Sequence, residues 1–167
     1  MRLLAAVLAL LAAAPAAPPP EARALVAGSG GRPTLVHLVH APCACSVRAA
    51  PQVDRLRPAL GGKVRCVAVV DLPSEEAARW LASAGLRFEP FADPELRTVA
   101  ALGADRSLTT LLLDAEGREL GRWRGHDRAK LAAIAQAAAC AAGMPAPELR
   151  LDDVPAETVA GCTFPSR

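Results

Sequence analysis

Aromatic side chains are scarce in this chain. It has no Tyr, three Phe and only two Trp, Trp80 and Trp123. Charge of one sign is missing as well: 19 basic residues face 17 acidic ones, for a formal net charge of +2. Nucleic-acid surfaces need a basic stripe or stacking platforms, so no nucleic-acid partner is expected. There is no internal repeat. The longest apolar run, Leu3 to Ala14, falls short of the roughly 20 residues that a spanning helix needs.

That run follows the short basic start Met1-Arg2 and precedes the small-x-small sequence Ala14-Pro15-Ala16. Together these features predict a secretory signal peptide over residues 1–16. An uncleaved N-terminal anchor is the alternative. No Cys follows the run closely, which argues against a lipoprotein signal. The Ala-, Arg-, Leu- and Pro-rich composition points to a GC-rich bacterium, so the expected location is periplasmic or secreted. The mature protein is then expected to have no transmembrane span. It remains long enough for one domain with a real core.

Residues 17–32 are rich in Pro, Gly and Ala and read as a linker with a short apolar patch at Ala24-Leu25-Val26. Thr34 to Val39 is apolar at nearly every position, the pattern of a central strand. Ser46 to Leu60 reads as a helix kinked at Pro51. Lys63 to Val70 is a second strand. A helix capped by Ser74 runs to about Ala84, and another opens at Asp93-Pro94-Glu95. Ser107 to Leu113, the turn Asp114-Ala115-Glu116-Gly117 and Arg118 to Arg124 form a hairpin. Residues 127–142 make an Ala-rich helix, and residues 143–167 are a Pro-containing tail. Crossover helices followed by a closing hairpin define an α/β sandwich with a mixed sheet.

Five cysteines carry the chemistry. Cys43 and Cys45 lie where the first strand meets a helix. A helix N-terminus carries partial positive charge and favours a thiolate, so this position suits thiol exchange or metal binding. Cys66 lies mid-strand and reads as a buried structural thiol. Cys140 ends the last helix and Cys162 lies in the tail. With an oxidising compartment and no other evident partner for either, a structural Cys140–Cys162 disulfide is expected.

The segment TLVHLVHAPCACS, Pro51, and SLTTLLLDAEGRELGRWRG resemble, in order and spacing, three elements of the thioredoxin-like superfamily, specifically its secreted redoxin branch. The resemblance covers residues 33–142. It implies a thioredoxin-like three-layer sandwich with a central mixed β-sheet. It also implies thiol–disulfide oxidoreductase activity on protein thiols or disulfides in the periplasm, without a cofactor. The site is atypical. The second redox Cys of the family would fall at Ser46, leaving Cys43-Ala44-Cys45-Ser46. The Trp that usually precedes the first Cys is Pro42. The cis-proline of the family is Leu108, where a cis bond would cost about 2.5–4 kcal/mol and a trans bond is expected. The peroxidase branch has a Thr where this chain has His40.

By this resemblance Cys43 is the nucleophile. Cys45 either resolves its adducts, joins it as a soft metal ligand, or faces inward as a small hydrophobe. His37 stands where thioredoxin has a buried Asp, so it is either a proton relay or a core histidine with one hydrogen bond. The alternative function is a copper(I)- or zinc(II)-binding module using Cys43, Cys45, His40 and His126. His37 and His40 point to opposite faces of a strand, which weakens a set containing both. A further alternative is a non-catalytic interaction domain on the same fold.

Overall fold

The computed structural model describes residues 17–165. The expected signal peptide, residues 1–16, lies outside the described residues. The element order is α1 (Pro20–Val26), β1 (Thr34–Val39), α2 (Ala44–Val53), α3 (Leu56–Ala59), β2 (Arg65–Val70), α4 (Ser74–Ala84), β3 (Glu89–Ala92), α5 (Arg97–Ala101), β4 (Thr109–Leu113), β5 (Glu119–Arg124) and α6 (Arg128–Ala141). Five strands form one open sheet in the order β3-β2-β1-β4-β5. β1 pairs parallel with β2 and antiparallel with β4, β2 pairs parallel with β3, and β4 and β5 form the closing hairpin. The fold is thus an α/β sandwich around a mixed sheet.

β1 is central because all six of its residues are buried. Alternate side chains of a strand point to opposite faces. Leu35 and Val39 meet Ala49, Ala50 and Val53 of α2, Leu81 of α4, and Leu131 and Ile134 of α6 on one face. Val36 and Leu38 meet Leu25 and Val26 of α1 and Val99 of α5 on the other. The sandwich therefore has two cores, one on each side of the sheet.

Five local features differ from the sequence reading. Residues 20–26, expected within a linker, are helix α1, with Ala22, Leu25 and Val26 buried against the second core. The long helix expected through Leu60 is two pieces. α2 carries Pro51 and ends at Val53, and a turn leads to α3. Ser74 is the first residue of α4 rather than its cap, which is Pro73. The edge strand β3, Glu-Pro-Phe-Ala, was not expected. It is short, carries a proline and has an exposed or half-buried pattern, so it lacks the alternation that marks a strand. Asp93, expected to open a helix, accepts from the backbone N–H groups of Thr98 at 3.1 Å and Val99 at 2.9 Å, while the helix itself starts at Arg97.

The turn Asp114 to Gly117 is as expected. The Asp114 carboxylate accepts from the N–H groups of Glu116 and Arg118, and Gly117 takes a positive φ of 87° that favours glycine there. Residues 143–165 are a packed strap rather than a free tail. Val154 and Phe164 are buried, and Val159 pairs with His126 through two backbone hydrogen bonds of 2.9 Å. Arg55 donates to both carboxylate oxygens of Asp153 at 2.6 Å, holding the strap across the end of α2.

Candidate functional site

The site grows from the junction of β1 and α2. Cys43 is the N-cap of α2, and its carbonyl accepts from Ser46 N at 2.9 Å and Val47 N at 3.3 Å. The turn before it is fixed from outside. Asp71, just after β2, accepts from Ala41 N at 2.8 Å through one oxygen and bonds the His40 ring through the other. Trp80 of α4 donates to Ala41 O at 3.1 Å. These contacts set where Cys43 enters the helix, and its side chain is buried.

Cys43 is disulfide-bonded to Cys162, with Cα atoms 6.0 Å apart and 119 residues between them in the chain. This corrects the expected Cys140–Cys162 pairing. Cys140 is an exposed free thiol at the end of α6. The strap does not fold back on that helix end. It crosses α2, pairs with His126, and continues to the loop before β4, which delivers Cys162 to Cys43.

Cys45, half-buried, is the third sulfur of the site. The Sγ atoms of Cys43, Cys45 and Cys162 all lie within 4.8 Å of one another. Arg48 Nη2 donates to Cys45 Sγ at 3.7 Å. Beside Cys45 opens a cavity of about 240 Å³, walled by Arg48, Gln52, Leu108, His126 and Val159 among others. Ser46, at the position of the second redox Cys of the family, is buried, and its hydroxyl has no hydrogen-bond partner.

His37 takes the core position that is one of its two readings, while His40 and His126 stand outside the sulfur cluster. His37 is buried, with Nδ1 2.9 Å from Thr110 Oγ1. Burial, aided by nearby His126, pushes its pKa down to about 3. Burial and the bond to Thr110 match the reading of a core histidine with one hydrogen bond. His40 is held by Asp71 and lies edge-on to the Phe164 ring, with centroids 5.5 Å apart. His126 Nε2 is 2.6 Å from Gln52 Oε1, and burial lowers its pKa. Neither His40 nor His126 belongs to the three-sulfur cluster. Cys66 is buried, as expected, and burial pushes its thiol up to about 12, which makes it inert.

The loop before β4 completes the site. Every peptide bond among the described residues is trans, including that at Leu108. Leu108 instead takes φ 57°, an uncommon conformation for a non-glycine residue. Its N–H donates to Leu38 O at 3.0 Å and its side chain is buried, so packing holds the conformation. Just before it, Ser107 N donates to Cys162 O at 2.9 Å, and Cys162 N donates to Ser107 Oγ at 3.0 Å. The strap thus lies on this loop as an extended segment, with an antiparallel bridge between Arg106 and Thr163. Sequence reasoning missed Ser107 and the strap, because backbone pairing by an irregular segment leaves almost no mark on composition.

No protein-family model matches the chain, and no curated protein does. Solved structures do. The chain is similar to a candidate thiol:disulfide interchange protein, DsbE, of Chlorobium tepidum, at TM-score 0.61 and 21% identity over 71% of this chain and 85% of that one. It is similar to DsbF of Mycobacterium tuberculosis at TM-score 0.55 and 19% identity, over 66% and 81% of the two chains. A candidate thioredoxin of Neisseria meningitidis aligns at TM-score 0.55 and 22% identity, over 67% and 77%. The chain has the thioredoxin-like fold.

Proposed function

We propose that this protein is an exported thiol–disulfide oxidoreductase whose reacting sulfur is Cys43. The observation that carries the reading is the disulfide at the N-cap of α2 with a third thiol, Cys45, within 4.8 Å. A helix N-terminus stabilises a sulfur anion, so the Cys43 sulfur is suited both to attack and to leave. In the oxidised protein a partner thiolate, or Cys45, attacks Cys43 Sγ. A new S–S bond to Cys43 forms, the Cys43–Cys162 bond breaks, and Cys162 leaves as the thiolate. With Cys45 as attacker the exchange is internal and no net electrons move. With two thiols of one partner protein, the partner is oxidised to a disulfide and the Cys43–Cys162 pair is reduced.

Burial of Cys43 beneath the strap and the basic Arg48 beside Cys45 bias the first attack toward small or extended thiols rather than folded surfaces. Protein thiols or disulfides outside the cytoplasm are the expected partners. The signal peptide expected over residues 1–16 supports periplasmic or secreted placement. Among the described residues no helix is long and apolar enough to cross a membrane.

Equilibration in glutathione redox buffers with mass-spectrometric peptide mapping tests the reading. Cys43 is expected to pass from a disulfide to a thiol in a single transition and to trap glutathione when Cys45 and Cys162 are both Ser. A Cys43 that never accepts glutathione under any buffer ratio contradicts it. A second reading rests on the same three sulfurs: after reduction they form a soft ligand set for copper(I) or zinc(II). Native mass spectrometry of the reduced protein with copper(I) distinguishes the two. A one-to-one complex lost in Cys43→Ser and Cys162→Ser favours metal handling.

A further inference from the structure

The segment that carries Cys162 is seated like a bound peptide rather than like a surface tail. Residues 161–164 run antiparallel to residues 105–107. Two backbone groups of the loop are engaged: Ser107 N donates to Cys162 O at 2.9 Å and Phe164 N donates to Asp105 O at 2.9 Å, and the two bonds together make the bridge between Arg106 and Thr163. Ser107 Oγ accepts from Cys162 N at 3.0 Å, and Arg106 Nη1 donates to Gly161 O at 3.3 Å. The loop therefore reads a passing chain mainly through its backbone, as an unpaired sheet edge does.

Two side-chain positions add selectivity. At Gly161 a Cβ would overlap the carbonyl of Ser107 and stand 2.7 Å from Ser107 Oγ. Ser107 is fully buried and has no room to retreat. Only glycine fits immediately before the sulfur-bearing residue. Two residues after the Cys, Phe164 is buried against Leu96, Val99, Leu102 and Ala104, at the wall of a cavity of about 280 Å³, and meets the His40 ring edge-on.

We propose that the strap's Gly161-Cys162-Thr163-Phe164 is a tethered surrogate client that closes the Asp105–Leu108 edge, and that this edge selects extended clients of the form Gly-Cys-x-aromatic. This inference rests on the redox reading of Cys43 and names its substrate class. While the Cys43–Cys162 bond stands, the edge is closed. Its reduction frees the strap from covalent attachment, and a client segment competes for the same backbone groups.

The test uses full-length protein carrying Cys45→Ser and Cys162→Ser, with Cys43 loaded with glutathione from the oxidised disulfide. The probe is an end-capped peptide with the sequence of residues 158–165. Its Cys thiolate attacks Cys43 Sγ, the Cys43–peptide bond forms, and glutathione leaves as the thiolate. A second peptide has Ala in place of the glycine. Peptide mapping separates adducts on Cys43 from those on exposed Cys140. Both peptides are also run on the same protein with Gly161→Ala added, which unseats the strap, and with Phe164→Ala added instead, which loosens it by another route.

Opening the strap by either route is expected to speed exchange at least about tenfold, and the glycine peptide to outrun the alanine peptide by at least about tenfold on the opened protein. Equal rates for the two peptides, or no gain from opening the strap, overturn the inference while leaving Cys43 a redox sulfur. A Cys43 that takes no glutathione overturns the redox reading and this inference with it.

Discussion

The two ends of the described chain are attached to the sandwich by different physics. The N-terminal segment is held by burial. Ala22, Leu25 and Val26 of α1 fill the face of the sheet covered by α5, and this needs no particular partner atom. The C-terminal strap also buries Val154 and Phe164, but adds attachments of another kind. It is held by backbone pairing at His126–Val159 and Arg106–Thr163, by the Arg55–Asp153 ion pair, and by a covalent bond to the one cysteine at the N-cap of α2. A hydrophobic attachment is indifferent to redox state. The strap's attachment is set by it, and the strap lies over Cys43.

That contrast is open to attack, most strongly through the disulfide. Reducing Cys43–Cys162 is expected to lower the unfolding free energy by about 2–5 kcal/mol, because the bond closes a long loop in the unfolded chain. Urea denaturation with and without reductant measures it. The strap should also become the first site of limited proteolysis in the reduced protein. Cys140→Ser should leave both observations unchanged, and a loss of stability in that variant would point to the other pairing.

Leu25→Ala comes next. It removes a fully buried side chain and is expected to cost about 2–4 kcal/mol. The loss should be the same in oxidised and reduced protein. A strong redox dependence would mean that α1 and the strap are one cooperative unit.

Acid should act through two buried groups. Burial holds His37 neutral with its pKa near 3, well below that of an unfolded histidine. Below about pH 6.5 the unfolded chain therefore binds the extra proton first, and stability falls as pH drops toward 3. Asp127 caps α6 through Lys130 N at 2.8 Å and accepts from Thr158 of the strap at 2.6 Å. Burial opposes its charge, but hydrogen bonds from Lys130 and Thr158 outweigh that and bring its pKa down to about 2. Its contribution is present above about pH 4 and is lost as pH falls through 2. Thermal melts from pH 7 to 2 should show this decline. His37→Gln is expected to flatten the part between 6.5 and 3. Asp127→Ala, with a loss of about 1 kcal/mol at neutral pH, should flatten the part below 4.

Elements with strong patterns were legible in the sequence. β1 announced itself through an unbroken apolar run, and α4 and the Asp114 turn through residues whose chemistry is local. β3 and α1 were not legible: the first is a short edge strand containing Pro90, and the second is a seven-residue helix inside a Pro- and Gly-rich stretch. Cys43 and Cys45 were found because a strand–cysteine–helix junction is a local pattern. The partner of Cys43 was not, since 119 residues separate it from Cys162 and nothing between them encodes the path of the strap. The burial that silences His37 is likewise a property of the packed sheet rather than of its neighbours in sequence.

The central claim is that the strap delivers Cys162 to Cys43, and non-reducing peptide mapping of the protein purified without reductant tests it most directly. A single cross-linked species joining the peptides of Cys43 and Cys162, with Cys45, Cys66 and Cys140 recovered as free thiols, is the expected result. Recovery of a Cys140–Cys162 cross-link, or of Cys162 as a free thiol beside a Cys43–Cys45 disulfide, would contradict it.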